Sequence, residues 1–136
     1  MRGLAGTATR REARERALML LYEAEAKTLT PSELLDDLPV APDDYTCAVM
    51  LGVETKSSEV DSLISRHAIG WALDRMPAVD RAVLRVATYE LLERPDVPTA
   101  VVLSEAVELA GEYSTDESAR FVNGVLASVA AEARRG

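Results

Sequence analysis

The sequence predicts an all-α protein of about seven helices, and three observations favour that fold class. Apolar residues make up 48% of the 136 residues, but only one is Trp and one is Phe, so most of them are Ala, Val and Leu. This composition suits close packing of helices better than a β-sandwich. Apolar residues also recur at spacings of three and four, and no segment alternates as a strand would. The length is enough for the core of one domain.

Prolines and capping residues divide the first half of the chain into four helices. Thr30 can cap a helix, Pro31 fits its first position, and Glu33 can reach back to complete a capping box. Asp43 and Asp44 would lie beside the positive end of the third helix. The predicted helices run from about Thr9 to Lys27, from Thr30 to before Pro39, from Pro42 through Lys56, and from a start at Ser58 and Asp61 through Ala68.

Three more helices are expected in the second half. Pro77 begins the most apolar helix, residues 78–94, whose two adjacent apolar stripes predict a place at the centre of the bundle. The next helix covers about 99–112. The stretch STDE at 114–117 predicts a second capping box, which would start a last helix running to the C-terminal arginines.

The dipeptide Asn123-Gly124 lies inside that last helix. It would suggest a hairpin turn, but the residues on both sides keep helical spacing. Because glycine costs a helix about 1 kcal/mol relative to alanine, we expect Gly124 to mark a close contact between two helices.

Charge is distributed unevenly. The chain has a net charge of −8, yet five arginines face two glutamates through residue 16, which leaves −11 for the remainder. A pI near 4.7 argues against a protein that coats nucleic acid without selectivity, so any such contact should be local. The acidic remainder could meet a basic partner.

Several classes of site and location are disfavoured by what the sequence contains. A single cysteine, Cys47, cannot form an internal disulfide, and with one histidine, His67, it cannot complete a structural zinc site. The sequence has no P-loop, no dinucleotide fingerprint and no nucleophile–base pair, so we expect neither an enzyme nor a cofactor site. No apolar window is long enough for a membrane span, so a cytoplasmic location is the default expectation.

The first candidate site is the arginine-rich stretch RREARERALMLLY at 10–22. On a helix, spacing by four places four residues in one row: Arg10, Arg14, Leu18 and Tyr22. Such a row could hold phosphates and end in a stacking ring. It could equally be a solvated face held by ion pairs, in which Arg16 pairs with Glu12.

The second candidate is DESARF at 116–121. Arg120 and Phe121 lie near a helix N-terminus, where free N–H groups attract phosphates, and Glu117 can accept a hydrogen bond from a base. The competing interpretation is a pair of capping acids and a core phenylalanine.

A third candidate belongs to a different class of protein. Arg81 and Arg85 on the central helix could bind an anionic metabolite in a small helical enzyme. The alternative is that they pair with Asp80, Glu90 or Glu93.

Two long stretches carry a family resemblance. The segment VDRAVLRVATYELLERPDVPTAVVLSEAVELAGEYSTDESARFVNGVL at 79–126 resembles the signature half of the NusB family of transcription antitermination factors. RREARERALMLLYEAE at 10–25 is similar to that family's arginine-rich opening helix. Residues 28–75 match mainly in helical layout, with Trp71 and Arg75 before Met76 and Pro77 also resembling the family.

The resemblance implies an all-helical fold of two packed subdomains, about 8–57 and about 58–134, within a single domain spanning 1–136. Family members are not enzymes. They bind the boxA element of ribosomal RNA leader transcripts together with the ribosomal protein NusE, and they help RNA polymerase pass terminators. Some form homodimers that cover the RNA surface.

By position, the resemblance also implies which residues make these contacts. Those implied at the RNA are Arg10, Arg11, Arg14, Glu117, Arg120 and Phe121. Those implied at NusE are Tyr22 and Asp80. The alternatives are the small helical enzyme, an adaptor that binds only protein, and the accessory domain of a ribosomal RNA methyltransferase, for whose catalytic domain the chain has no room.

Overall fold

A computed structural model describes residues 9–135, and within that range the chain folds into seven α-helices and one short 3-10 turn without a strand. Arg2, counted above in the basic opening, and residue 8, the predicted start of the first subdomain, lie outside the described residues. The helices are α1 Arg10–Ala26, α2 Pro31–Asp37, α3 Asp44–Thr55, α4 Ser57–His67, α5 Ala78–Glu93, α6 Thr99–Tyr113 and α7 Asp116–Ala133, with the 3-10 turn at Leu73–Arg75. The predicted all-α fold is confirmed.

Helix α5 is the central element, as its two apolar stripes predict. It packs against α1, α3, α4, α6 and α7. Helices α1, α2 and α3 contact one another, α6 packs along α7, and α4 packs on α5 and α7. The core is one continuous cluster made mainly of Ala, Val and Leu side chains, so α5 joins elements of both predicted subdomains. No described helix is both long and apolar enough to cross a membrane.

Side-chain caps fix several helix starts. Thr30 and Glu33 form the predicted capping box, with Pro31 in the first turn of α2. Thr9 and Glu12 form a second capping box at the start of α1. Asp43 caps α3 by accepting a hydrogen bond from the backbone N–H of Thr46 at 3.0 Å.

Two predicted helix starts are wrong. Helix α4 begins at Ser57 rather than at Ser58 because Lys56 both ends α3 and begins α4, without a side-chain cap. Helix α7 is capped by Thr115, which accepts from the backbone N–H of Ser118 at 2.9 Å, so the expected box of Ser114 and Glu117 does not form.

The interpretation of Gly124 is also wrong. A Cβ built there would have no neighbour within 4 Å among the described residues, so Gly124 marks no close helix contact. The close approach lies at Gly52 instead, where a Cβ would lie 2.0 Å from the ring of Tyr89. Helix α3 can therefore approach α5 this closely only because residue 52 has no side chain.

Candidate nucleic-acid interface

The arginines of α1 do not form one exposed row. Arg14 is only 4% exposed, and its Nε lies 3.0 Å from both carboxylate oxygens of Glu90 on α5. The hydroxyl of Tyr45 donates to the same carboxylate, and burial is the main reason that the pKa of Tyr45 is raised. Because Leu18 is buried as well, the expected row from Arg10 to Tyr22 is interrupted in the middle. Arg14 stabilises the core contact between α1 and α5.

Arg11 is held by an acidic row on α6. Its guanidinium lies 2.7 Å from Glu108, 3.4 Å from Glu105 and 3.5 Å from Glu112. The pKa of Arg11 is raised, first by the hydrogen bond to Glu108. A phosphate that binds Arg11 must therefore compete with three carboxylates that are already in place.

Arg10 is the most open of the three arginines predicted to contact RNA. Its guanidinium carbon lies 4.0 Å above the ring of Tyr45, a cation–π contact, and Nη1 is 3.7 Å from Asp96. Arg94 lies over the same ring at 4.9 Å. The stacked geometry holds the guanidinium in place and leaves much of it accessible to solvent.

Two pairings expected from the sequence do not occur among residues 9–135. Glu12 is used in the capping box with Thr9 and forms no ion pair with Arg16. Arg81 and Arg85 bind Glu25 and Asp61 rather than the acids of their own helix, with Nε of Arg85 2.9 Å from Asp61. Since both guanidinium groups are already paired, the structure does not support an anionic-metabolite site there.

The N-terminus of α7 opens onto a cavity of about 640 Å³, which we call the α7 cavity. All three residues predicted in DESARF line it: Glu117, Arg120 and Phe121. Glu117 and Arg120 are exposed at its rim, whereas Phe121 is half-buried. The structure therefore brings a cation, an acceptor and an aromatic ring to one opening, and neither of the two charged residues is engaged in an ion pair with a described residue.

Asp80 lies in the wall of the α7 cavity, not on an exposed partner surface. It is 3% exposed, in the first turn of α5, and Oδ2 accepts a hydrogen bond of 2.8 Å from the hydroxyl of Ser118 in the first turn of α7. Two helix N-termini thus stabilise the buried carboxylate. The second oxygen, Oδ1, has no donor among the described residues. The resemblance had grouped Asp80 with Tyr22, and the structure places it beside Phe121.

The two candidate regions are joined by the C-terminal end of α6. The hydroxyl of Tyr113 donates to Glu15 on α1, and this hydrogen bond raises the pKa of Tyr113 to about 12. Ser114, the next residue, already lines the α7 cavity. The arginine end of α1 and the α7 cavity are therefore neighbours on the surface of the molecule.

Tyr22 lies at a separate opening. It is a half-exposed aromatic on α1 and lines a second cavity of about 310 Å³, which we call the Tyr22 cavity. Three acids and one arginine share that lining: Glu25, Glu54 and Asp61, with Arg85 paired to Glu25 and Asp61. An exposed ring beside several acids suits a basic protein surface better than an RNA.

The structure adds Trp71, which the resemblance alone did not assign to the site. Its ring lies 6.0 Å from that of Phe121, centroid to centroid, at an angle of 56°. The signal was present in the sequence, because Trp71 is the only tryptophan and follows Gly70 in a segment without helical spacing. Only the fold brings it next to residue 121.

Comparison with known proteins agrees with this fold. The NusB family profile matches residues 11–131. A transcription antitermination protein NusB from Kineococcus radiotolerans is 48% identical over 127 residues, covering 90% of this chain and 93% of the relative.

Solved structures give the same result. NusB from T. maritima superposes with a TM-score of 0.82 at 36% identity, covering 92% of each chain. A chain from a complex of the antitermination factors NusB and NusE with double-stranded RNA gives a TM-score of 0.74 at 26% identity, covering 90% of this chain and 96% of that one. With a family match over nearly its whole length, this chain belongs to the NusB family.

Proposed function

We propose that this chain is an RNA-binding transcription antitermination factor that binds boxA RNA of ribosomal RNA leader transcripts together with the ribosomal protein NusE. In this proposal it acts within the antitermination complex of RNA polymerase. The family is one of antitermination factors and not of enzymes, and the pairing of Arg81 and Arg85 with the protein's own carboxylates is consistent with that.

The α7 cavity is the observation that carries the proposal. A short single-stranded RNA can be held by a few arginine–phosphate bonds and a stacked ring. Arg120 is exposed at the rim to meet a phosphate, and the half-buried Phe121 lines the cavity. A related NusB has been solved with NusE and double-stranded RNA, which supports both partner classes.

The proposed RNA contacts are a revised set of those inferred from the resemblance. Arg10, Arg11, Glu117, Arg120 and Phe121 remain. Arg14 is left out because its guanidinium is buried against Glu90. We assign it the role of fixing α1 on α5, which positions Arg10 and Arg11 without touching the RNA.

The partner surface is proposed at the Tyr22 cavity. NusE is a ribosomal protein, and a basic surface docked there would meet Glu54, which forms no ion pair among the described residues, beside Glu25 and Asp61, which share Arg85. It would offset part of the chain's net charge of −8. The acidic body repels RNA elsewhere, so adding a basic partner should raise affinity as well as specificity. We therefore expect weak RNA binding by the free chain and tight binding by the heterodimer.

A titration tests this function. Labelled boxA RNA is titrated with the chain alone and with the chain plus NusE, at one fixed salt concentration and then over a salt series. The proposal requires tighter binding in the presence of NusE and a linear fall of log affinity with log salt. Equal affinity with and without NusE would contradict the cooperative mechanism. Binding of NusE without any RNA binding would instead favour the protein-only adaptor.

Oligomeric state is checked in the same samples. A homodimer covering the RNA surface would dissociate as RNA is added, and analytical ultracentrifugation would follow that change. If the chain stays monomeric throughout, a homodimer does not regulate its access to RNA.

A further inference from the structure

We propose that the α7 cavity takes a single unpaired nucleobase, held against the ring of Trp71, with a preference for guanine. This inference rests on the proposed RNA-binding function and assigns Trp71 and Asp80 to it.

The shape of the α7 cavity suits a flat ring. Its volume of about 640 Å³ lies within the range of about 300–1,000 Å³ that small-molecule sites occupy. Trp71 and Phe121 both line it, and their rings contact each other with centroids 6.0 Å apart at 56°. Because Phe121 supports the Trp71 ring from one side, a base would stack on the part of the Trp71 ring that is left exposed.

Trp71 is held in position although half of its surface is in water. It is 50% exposed. Its backbone N–H donates to the carbonyl of Ala68 at 3.1 Å. Gly70, just before it, has a φ of +86°, a backbone conformation that residues other than glycine rarely adopt. Because the turn fixes the backbone, stacking a base on this ring orders few additional degrees of freedom.

The polar groups of the α7 cavity indicate which edge of a base would face the wall. Asp80 Oδ1 is a buried acceptor without a donor among residues 9–135, and Glu117 adds a second carboxylate at the rim. An unsatisfied buried acceptor costs free energy that an incoming N–H would recover. Arg120, at the same opening, provides the charge for a phosphate. A ligand with N–H donors on a flat ring and a phosphate attached is a nucleotide.

Guanine fits these acceptors better than the other bases. It presents two neighbouring donors, N1–H and the N2 amino group, for two acceptors, Oδ1 of Asp80 and the carboxylate of Glu117, because Oδ2 of Asp80 already accepts from Ser118. Cytosine and adenine each offer one amino group. Uracil offers one N–H between two carbonyl oxygens, which a carboxylate repels. The expected order is guanine first, then cytosine and adenine, and uracil last.

The only tryptophan of the chain provides a direct readout of occupancy. The probes are two short single-stranded RNAs, one of uridines only and one with a single central guanosine, and Trp71 emission is followed at fixed salt. We expect saturable quenching at the same concentration as binding of labelled RNA, and tighter binding of the RNA that contains guanosine. A basic side chain of the protein partner could occupy the α7 cavity instead, and quenching by NusE but not by RNA would overturn the inference.

Three variants separate the inference from the proposed function. Trp71→Ala should weaken binding of the guanosine RNA by about 5- to 150-fold, the range that one base stack represents, and Trp71→Phe should keep most of the affinity. Asp80→Asn should bring the affinities for the two RNAs closer together. The matched control is Ile69→Ala, which removes an 89% exposed apolar side chain outside the α7 cavity, and should change nothing.

Two results would count against the inference in different ways. If Trp71→Ala and Ile69→Ala both bind RNA like the original chain, the base site is wrong while the RNA-binding function stands. If the original chain binds neither RNA, alone or with NusE, the proposed function fails and the base site fails with it. Melting temperatures of all variants show that lost binding does not come from unfolding.

Discussion

The arginine end of α1 and the N-terminus of α7 differ in what their charged groups already contact. On α1, Arg11 and Arg14 both have carboxylate partners, with Arg14 Nε 3.0 Å from Glu90 and Arg11 2.7 Å from Glu108. At the α7 cavity, Arg120 and Glu117 are exposed at a rim beside two aromatic rings. The denser cluster of basic residues is therefore the less available one. Positive charge in a sequence indicates a ligand site only where the fold has not already neutralised it.

The largest expected effect tests whether Arg14 belongs to the core. Arg14→Ala leaves the carboxylate of Glu90 buried with the Tyr45 hydroxyl but without its cation. Removing one partner of a buried pair costs about 3–5 kcal/mol, so the free energy of unfolding in urea should fall by that amount.

The control for this prediction is Arg16→Ala, which removes an exposed arginine of the same helix and should leave unfolding unchanged to within about 0.5 kcal/mol. If Arg14→Ala unfolds like the original chain but binds RNA less well, the residue contacts RNA after all, as the resemblance implied.

A pair of glycine substitutions contrasts the packing of α3 against α5 with that of α7. Gly52→Ala places a Cβ 2.0 Å from the ring of Tyr89, and overpacking of this kind costs about 1–3 kcal/mol. Gly124→Ala meets open space on α7 and should stabilise the helix by about 1 kcal/mol. Thermal unfolding of both variants measures the two shifts. If Gly124→Ala destabilises the protein instead, Gly124 does lie at a close contact between two helices, as the sequence predicted.

The sequence predicts the local part of this structure better than the long-range part. The capping box of Thr30 and Glu33 and the central position of α5 follow from spacing along the chain, because caps and stripes depend on residues three or four apart. The pairing of Arg14 with Glu90 joins residues 76 positions apart, and that of Arg11 with Glu108 joins residues 97 apart. No periodicity on one helix shows which face of another it will meet.

The candidate site also has a part that is local in sequence and a part that depends on long-range packing. Glu117, Arg120 and Phe121 are close in sequence and line one cavity. Asp80 and Trp71 complete that cavity from α5 and from the segment before it. The sequence contained both residues, but their position beside Phe121 depends on how α4, α5 and α7 pack together.

A salt series separates the contribution of Arg120 from that of the fold. Arg120→Ala removes one exposed cation, so stability should be unchanged and RNA binding weaker. If Arg120 meets one phosphate of a single strand, the slope of log affinity against log salt should decrease in magnitude by about 0.7. Arg135→Ala, which removes a second arginine outside both cavities, is the matched control. An unchanged slope for Arg120→Ala would place the phosphate elsewhere.

The smallest expected effect concerns the acidic row that holds Arg11. Replacing Glu108 and Glu112 with Gln keeps their size and removes two charges that lie 2.7 Å and 3.5 Å from the guanidinium. Exposed ion pairs contribute about 0–1 kcal/mol each, so stability should fall little. A phosphate would no longer compete with these carboxylates, and RNA affinity should rise a few-fold, most clearly at low salt where surface charges are least screened. The double variant Glu59→Gln with Glu132→Gln also removes two acids, both away from α6, and controls for the change in net charge. An equal gain in both variants would mean that net charge alone sets the affinity, whereas a gain only in the first would show that α6 limits the access of RNA to Arg11.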